Sequence, residues 1–484
     1  MKKLPGIQRA PLALVMALVA STLHAEVTLP KVIGSGMVLQ RESQVAIWGT
    51  ADPGEAVTIT CSWNNTPVHV KTDGKGNWST KLVTGEAGGP HTITLSASNT
   101  ITLDDVLFGE VWLDSGQSNM EMPIAPVSTA YTGINNWETE LAAANYPQIR
   151  LFQVGNVASK EPQKDVQPGV FIYGVAVPPC QWQGCTPETV KHFSSTAYFF
   201  ARKLQQDLGV PIGIIDASWG GTAIEPWINE THLRQAGFHE MVNKEKDQAD
   251  KPDARNIPTR LYNGMIAPVM PFTLKGAIWY QGEGNSSRPQ TYKRLMEALV
   301  AGWRDGFKSE LSFYFVQLAP FSYKQNSAFL REQQLQALSI PKTGMVVTMD
   351  IGDLKDIHPK NKQEVGRRLA LQALAKDYGK KVASDGPQFR EMIVVDSKAI
   401  LHFDYVGDGL AIYGGDVLKD FEIAGDDKKF VPASATIDGD IVIVTSPNVK
   451  QPVAVRYAFS SVASGSLMNK SALPASPFRT DDWE

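Results

Sequence analysis

The hydrophobic and polar positions change rhythm twice along the 484 residues. From residue 26 to about 105, short runs alternate apolar with polar or β-branched positions, at 45–48, 56–61, 68–71, 78–82 and 91–95. Turn residues separate them: Asp52-Pro53-Gly54, Asn64-Asn65, Asp73-Gly74 and Gly88-Gly89-Pro90. A period of two bounded by turns predicts strands, and strands this short and close predict a small β-sandwich. From 106 to 386 the period changes. Apolar runs at 110–113, 212–217, 274–280, 313–318 and 345–349 alternate with helical patterns at 194–208, 290–302, 329–338 and 361–378. Strand–helix alternation predicts an α/β domain, a mostly parallel sheet with helices on both faces. A loop-rich insert at 122–187 precedes the first clear helix. From 387 to 484 β texture returns, at 400–403, 410–412, 434–437, 441–444 and 453–457. No repeat or flexible linker divides these parts, so they are expected to pack together.

Composition narrows the function. Hydrophobic residues are 43% and charged residues 20%, the balance of a folded multi-domain protein. Lys and Arg number 46 against 50 Asp and Glu, a formal charge of −4 with no basic stripe. That argues against nucleic acid or a membrane as partner. The first 25 residues read as a secretory leader: Lys2, Lys3 and Arg9, an apolar run at 11–20, then a cut after Ala25. The expected protein is exported, periplasmic or secreted. Three cysteines match no zinc spacing, and no metal site is expected. Cys61 reads as a buried strand thiol. Cys180 and Cys185 flank QWQG and could close a small loop in an oxidising compartment. Nothing in the chain sets an oligomeric state.

In an open parallel sheet the ligand crevice lies beyond the carboxyl ends of the strands. Four predicted strand ends carry Gly116-Gln117-Ser118-Asn119, Ser218-Trp219-Gly220-Gly221-Thr222, Gln281-Gly282-Glu283-Gly284-Asn285 and Asp356-Ile357-His358-Pro359. These are the parts of an acyl-transfer site. The Ser118 hydroxyl needs a base, and His358 can serve near neutral pH. An oxyanion needs fixed donors, available as the Ser118 N–H, the N–H of Gly221 or Gly220, and the Asn285 amide. The imidazole wants an acceptor for its tautomer: Asp356 first, Asp353 second, or a backbone carbonyl.

GQSNM at 116–120, SWGGT at 218–222, WYQGEGN at 279–285 and DIHPKNKQEVGRRLA at 356–370 resemble the sialate O-acetylesterase family, within the SGNH hydrolases. GMVLQR at 36–41, LYNGM at 261–265 and LPASPFRTDDW at 473–483 extend the likeness to nearly the whole mature chain. The resemblance implies a flavodoxin-like α/β/α catalytic domain that removes acetyl groups from sugar hydroxyls with no metal and no cofactor. It implies Ser118 as nucleophile, Gly221 and Asn285 in the oxyanion hole, and His358 as base. Many SGNH enzymes carry Asp three residues before the histidine, where this chain has Lys355. Gly284 stands where relatives more often have serine, a change expected to loosen that loop.

Other residues get plainer readings. Gln117, Trp219, Gln281 and Glu283 are candidate substrate contacts. A glycosidase role for Glu283 lacks the second carboxylate it would need. The charged stretch 360–368 reads as a solvated helix face. The substrate expected is an O-acetylated saccharide, either a sialate or a xylan or xyloglucan. The rival classes are a non-catalytic carbohydrate-binding protein and a phospholipase or thioesterase. The second would want a long apolar slot that these polar, aromatic blocks do not suggest.

Overall fold

The computed structural model describes residues 1–2, 26–169, 180–246 and 254–483. The expected leader therefore falls almost wholly outside the described residues. The N-terminal region holds β1 (Val38–Gln40), β2 (Gln44–Thr50), β3 (Ala56–Cys61), β4 (Asn64–Lys71), β5 (Asn77–Val83) and β6 (Gly88–Ser96). β2 pairs with β5, while β3 pairs with β4 and β6. Val45 and Ile47 meet Val57, Ile59, Ile93 and Leu95 in one core, as the period-two pattern requires.

The next strand, β7 (Thr100–Gly116), is 17 residues long. Its first part pairs antiparallel with β6, and Leu107–Gly109 pairs with β1. Its last part lies parallel between two strands of the central sheet. The 105/106 boundary expected from sequence falls inside this strand. What marks it is a register shift against β6 with Asp105 at φ 56, a bulge rather than a linker.

The central sheet adds β8 (Tyr146–Gln153), β9 (Gln183–Cys185), β10 (Ile212–Ser218), β11 (Gly276–Tyr280), β12 (Ser312–Val316) and β13 (Thr343–Val346). The order is β13-β12-β11-β7-β10-β8-β9, parallel except for β9. Alternate residues feed two cores. Ile215, Ala217, Trp279 and Phe313 join Leu295 and Trp303 of the helix Tyr292–Phe307. Ile214, Ile278 and Tyr314 join Phe200 of Ser195–Leu208 and Leu369 of Lys362–Lys376. Helices thus cover both faces, and β10, β11 and β12 are buried along their whole length.

The insert 122–187 is less loop-like than expected. It contributes the helix Trp137–Ala142 and strands β8 and β9. Cys180 and Cys185 are both free, buried thiols, so the loop-closing bridge does not form. Burial pushes the Cys185 thiol up to about 12. Cys185 sits on the edge strand opposite Tyr146, and Cys180 Sγ reaches the Gln167 carbonyl at 3.5 Å.

The C-terminal region forms small antiparallel sheets, one of them from Gln388–Val395, Lys398–Asp404, Ile441–Thr445 and Ser434–Asp438. It is tied down by the buried Arg331 guanidinium, which donates to the carbonyls of Leu318, Ala319, Ser460 and Ser461.

Candidate active site

Counting β7, β10, β11, β12 and β13 in chain order, the strands lie 2-1-3-4-5, with β8 added beyond β10. The order reverses at β7, which is where a crevice opens at the carboxyl ends. β7 ends at Gly116, with φ +141; a Cβ there would sit 2.2 Å from the Tyr280 carbonyl oxygen. Only glycine allows β7 and β11 to end this close. The chain then turns into the short helix Ser118–Glu121.

Ser118 is 9% exposed at the start of that helix, and among the described residues its hydroxyl has no hydrogen-bond partner. Its neighbour Asn119 is fully buried and does more than the sequence suggested. The Asn119 Nδ2 donates to Glu283 Oε1 at 2.5 Å and to the Ile357 carbonyl at 3.0 Å, while Oδ1 accepts from Lys362 Nζ at 2.5 Å. The residue after the serine is thereby bonded to the residue before the histidine. Blocks 238 residues apart meet at one rim.

His358 Nδ1 lies 3.7 Å from Asp356 Oδ1, inside ion-pair range and beyond a hydrogen bond. The same oxygen accepts the His358 backbone N–H at 2.9 Å. Asp353 instead accepts the Lys355 N–H in a local exposed turn. The Tyr131 ring meets the imidazole edge-on at 5.2 Å, and the Ala130 carbonyl also faces it. Burial holds the imidazole below its ordinary value. The Lys362 charge adds to this, and Asp356 and Ala130 oppose it.

The two glycines of the second block are not equivalent. Gly220 N–H donates to Glu121 Oε2 at 2.8 Å, so it is committed. Gly221 has φ +72, with its carbonyl taken by Asn256 Nδ2 at 2.9 Å. A Cβ on Gly220 would come 3.4 Å from the Ser118 Cβ and 2.8 Å from the Tyr131 hydroxyl, so loop, serine and insert are in contact. Glu121 also accepts from Tyr131 OH at 2.7 Å and Asn156 Nδ2 at 3.2 Å. Burial raises its carboxyl to about 7 against those three donors.

Asn285 is fully buried. Its Oδ1 accepts from Ile224 N and Gln281 Nε2, and its Nδ2 donates to Glu225 Oε2 at 3.1 Å. One amide hydrogen remains for another acceptor. Gln117 and Gln281 lie under the rim, 3% and 1% exposed. Gln117 Oε1 accepts from Gly282 N and Gly284 N, ordering the third block, and Gln281 Oε1 accepts from Tyr292 OH. Gly284 does not loosen this loop: a Cβ there would come 2.6 Å from the Thr222 carbonyl, so the glycine permits close packing. Trp219 is half-buried against the core. Glu283 Oε2 is a buried acceptor without a partner, and burial raises this carboxyl.

The stretch 360–368 is not a solvated face. Lys362 is fully buried, and Arg368 is 3% exposed. Arg368 is gripped by Asp350 at 2.6 and 2.7 Å and by Glu364 at 2.7 Å. Beneath the rim, Asp114 and Asp216 face each other on β7 and β10, both buried. Burial and the Asp216 charge raise Asp114; burial also raises Asp216, whose Oδ1 accepts from Ser218 Oγ at 2.6 Å. Asn119 lies within the serine block, and Glu121 follows one residue beyond its end. Lys362, Tyr131 and the Asp pair carried no sequence signal of their own. Among the described residues, no group of three or more His, Cys, Asp or Glu is placed to hold a metal ion, and no helix is long and apolar enough to cross a membrane.

A parallel sheet whose reversal point gathers a serine, two close-packed glycine-bearing loops and a histidine defines an enzyme of the esterase class. The family described as "Carbohydrate esterase, sialic acid-specific acetylesterase" matches residues 108–375. The sialate O-acetylesterase of Pongo abelii is 30% identical over 493 residues, covering 92% of this chain and 91% of that protein. The sialate O-acetylesterase of Homo sapiens is 31% identical, covering 77% of this chain and 75% of that one. The crystal structure of a carbohydrate acetylesterase from Xanthomonas citri is 38% identical, with a TM-score of 0.84, covering 95% of this chain and 100% of that chain. The chain belongs to the sialic acid-specific acetylesterase family of carbohydrate esterases.

Proposed function

We propose that the protein is a serine esterase that removes O-acetyl groups from carbohydrate hydroxyls. The observation that carries this is the Asn119 clamp, which brings the serine and histidine blocks to one rim. Ser118 Oγ attacks the acetyl carbonyl as His358 takes its proton. Asp356 faces Nδ1, which leaves Nε2 for the serine. The tetrahedral oxyanion sits against Ser118 N–H, Gly221 N–H and the free hydrogen of the Asn285 amide. Gly221 takes this role over Gly220 because the Gly220 N–H is already held by Glu121. The intermediate collapses, the sugar oxygen leaves with the proton from His358, and acetyl-Ser118 remains. His358 then deprotonates water, whose attack releases acetate and returns the proton to Ser118. Among the described residues the Ser118 hydroxyl is unpartnered, and catalytic hydrogen bonds often form only with substrate bound. Trp219 and Glu283 border the rim as candidate sugar contacts.

The reading extends to the whole chain: a leader over 1–25 that sends the protein to the periplasm or the medium, a β-sandwich at 26–105, a flavodoxin-like SGNH hydrolase domain at 106–386 and a β domain at 387–484. The 2-1-3-4-5 order favours the flavodoxin-like assignment. The curated relatives are named for sialate, which favours an O-acetylated sialic acid over acetylated xylan or xyloglucan as substrate. Acetate release from sialylated mucin and from acetylated xylan, with wild type and Ser118→Ala, tests both layers. Faster release from mucin, abolished in the variant, is expected. Release from neither by the wild type would overturn the esterase reading.

A further inference from the structure

We infer that Lys362 is a positioning residue for this reaction, acting on His358 through Asn119 and through its own charge. The inference rests on the proposed role of His358 as base. Lys362 opens the helix Lys362–Lys376, where the positive end of the helix dipole disfavours a cation. It is fully buried, and among the described residues no carboxylate lies within ion-pair distance of it. Its contacts are Asn119 Oδ1 at 2.5 Å and the Tyr280 ring at 5.1 Å. Burial pushes the amine down to about 7, against the more distant charges of Glu283 and Asp356. Arg368, six residues on, shows how the same helix buries a cation when only stability is at stake: two carboxylates grip it, and its affinity for its proton rises.

The burial of Lys362 therefore answers to something else, and the clamp shows what. The Asn119 amide is polarised between an ammonium at its oxygen and a carboxylate at its nitrogen. That fixes the orientation of the amide and directs its second N–H at the Ile357 carbonyl, which holds the peptide leading into His358. The helix itself cannot slide, because Gly366 lies against Phe199 and the Thr196 carbonyl so closely that a Cβ would clash.

Charged groups bear on the imidazole from several elements. Asp356 faces it from its own loop, Lys362 from the helix and Glu121 through the Tyr131 hydroxyl of the insert, while Glu283 lies beyond Asn119. Of these four groups, Lys362 is the cation. Below about pH 7 it carries its charge and opposes protonation of His358, keeping the base free where an ordinary histidine would begin to lose function.

Lys362→Met and Lys362→Gln both remove the like charge, and the glutamine keeps a donor for Asn119 Oδ1, so both should raise the proton affinity of His358. The readout is a histidine-selective NMR titration of the full chain, with His358 assigned by its disappearance in His358→Gln. The acid limb of kcat/KM is measured beside it. The midpoint should rise by roughly one pH unit in both variants, the scale of one nearby unit charge, with the acid limb following. Unchanged or lowered midpoints would overturn the inference and reduce Lys362 to a structural residue. If Lys362→Met fails to fold, the Lys362→Gln arm still decides. A wild type that releases no acetate while the titrations move as stated would sink the esterase reading and leave the coupling standing.

Discussion

Strand β7 carries acidic groups at both ends of its central-sheet segment, and the two ends solve opposite problems. At its base, Glu110 is 2% exposed and accepts from Gln40 Nε2 at 2.9 Å, Arg41 Nε at 2.6 Å and Tyr378 OH at 3.0 Å. A cavity of about 940 Å³ opens beside it, lined by Arg41, Lys275, Lys380, Asp377 and Tyr378 among others. Toward the rim, four residues along, both oxygens of Asp114 lack a partner, as do Tyr280 OH and Glu283 Oε2. At the base the buried carboxylate is fully satisfied. The rim has buried groups whose proton affinities are displaced, and that is where an acid–base site is built.

The largest effect should come from breaking the rim. Ser118→Ala should lower kcat for p-nitrophenyl acetate by at least about a thousandfold, the scale of losing an activated nucleophile. Circular dichroism should stay native. Glu121→Gln is milder: it keeps a Gly220 acceptor but replaces an anionic bond and adds a donor facing Tyr131, so kcat should fall about tenfold with KM little changed. Steady-state kinetics on one acetyl ester separates these outcomes.

The pH dependence sharpens the contrast. A general base works only when neutral, so kcat/KM should fall on the acid side through a midpoint below the ordinary histidine value near 6.5. The carboxyl pair adds a stability signature. Asp114 binds its proton more tightly folded than unfolded, so its contribution is fully present below about pH 4 and is lost as pH rises through its folded value. Melting temperature should therefore drop less between pH 5 and pH 8 in Asp114→Asn than in the wild type; an equal drop would contradict the assignment. The smallest effect on turnover belongs to the base. Glu110→Gln should leave kcat within about twofold, while weakening the Arg41 pair costs about 1–3 kcal/mol, read by denaturant unfolding.

Much of this was legible because the strands of the buried sheet are continuous apolar runs, and because the chemistry sits in polar blocks directly after them. β10 and β11 illustrate it: seven and five buried residues, each followed by a glycine-bearing loop. What stayed hidden depends on contacts made far along the chain. Lys362 sits in a run of charges that reads as a solvated helix face, and its partner Asn119 is 243 residues away. β8 lies in an insert with few periodic positions. β7 crosses a boundary that the change of pattern placed at 105/106, because a bulge can redirect a strand without any linker. That the two buried thiols stay free, each held against a different segment, likewise could not be read from their closeness in sequence.

The account stands on Ser118 being activated by His358 at one rim. Treatment with diisopropyl fluorophosphate followed by peptide mass spectrometry asks this directly, since only an activated serine reacts quickly. One adduct on Ser118 in the wild type, absent at equal exposure in His358→Ala, is the predicted result. An adduct on a different residue, or undiminished labelling of Ser118 without the histidine, would contradict it.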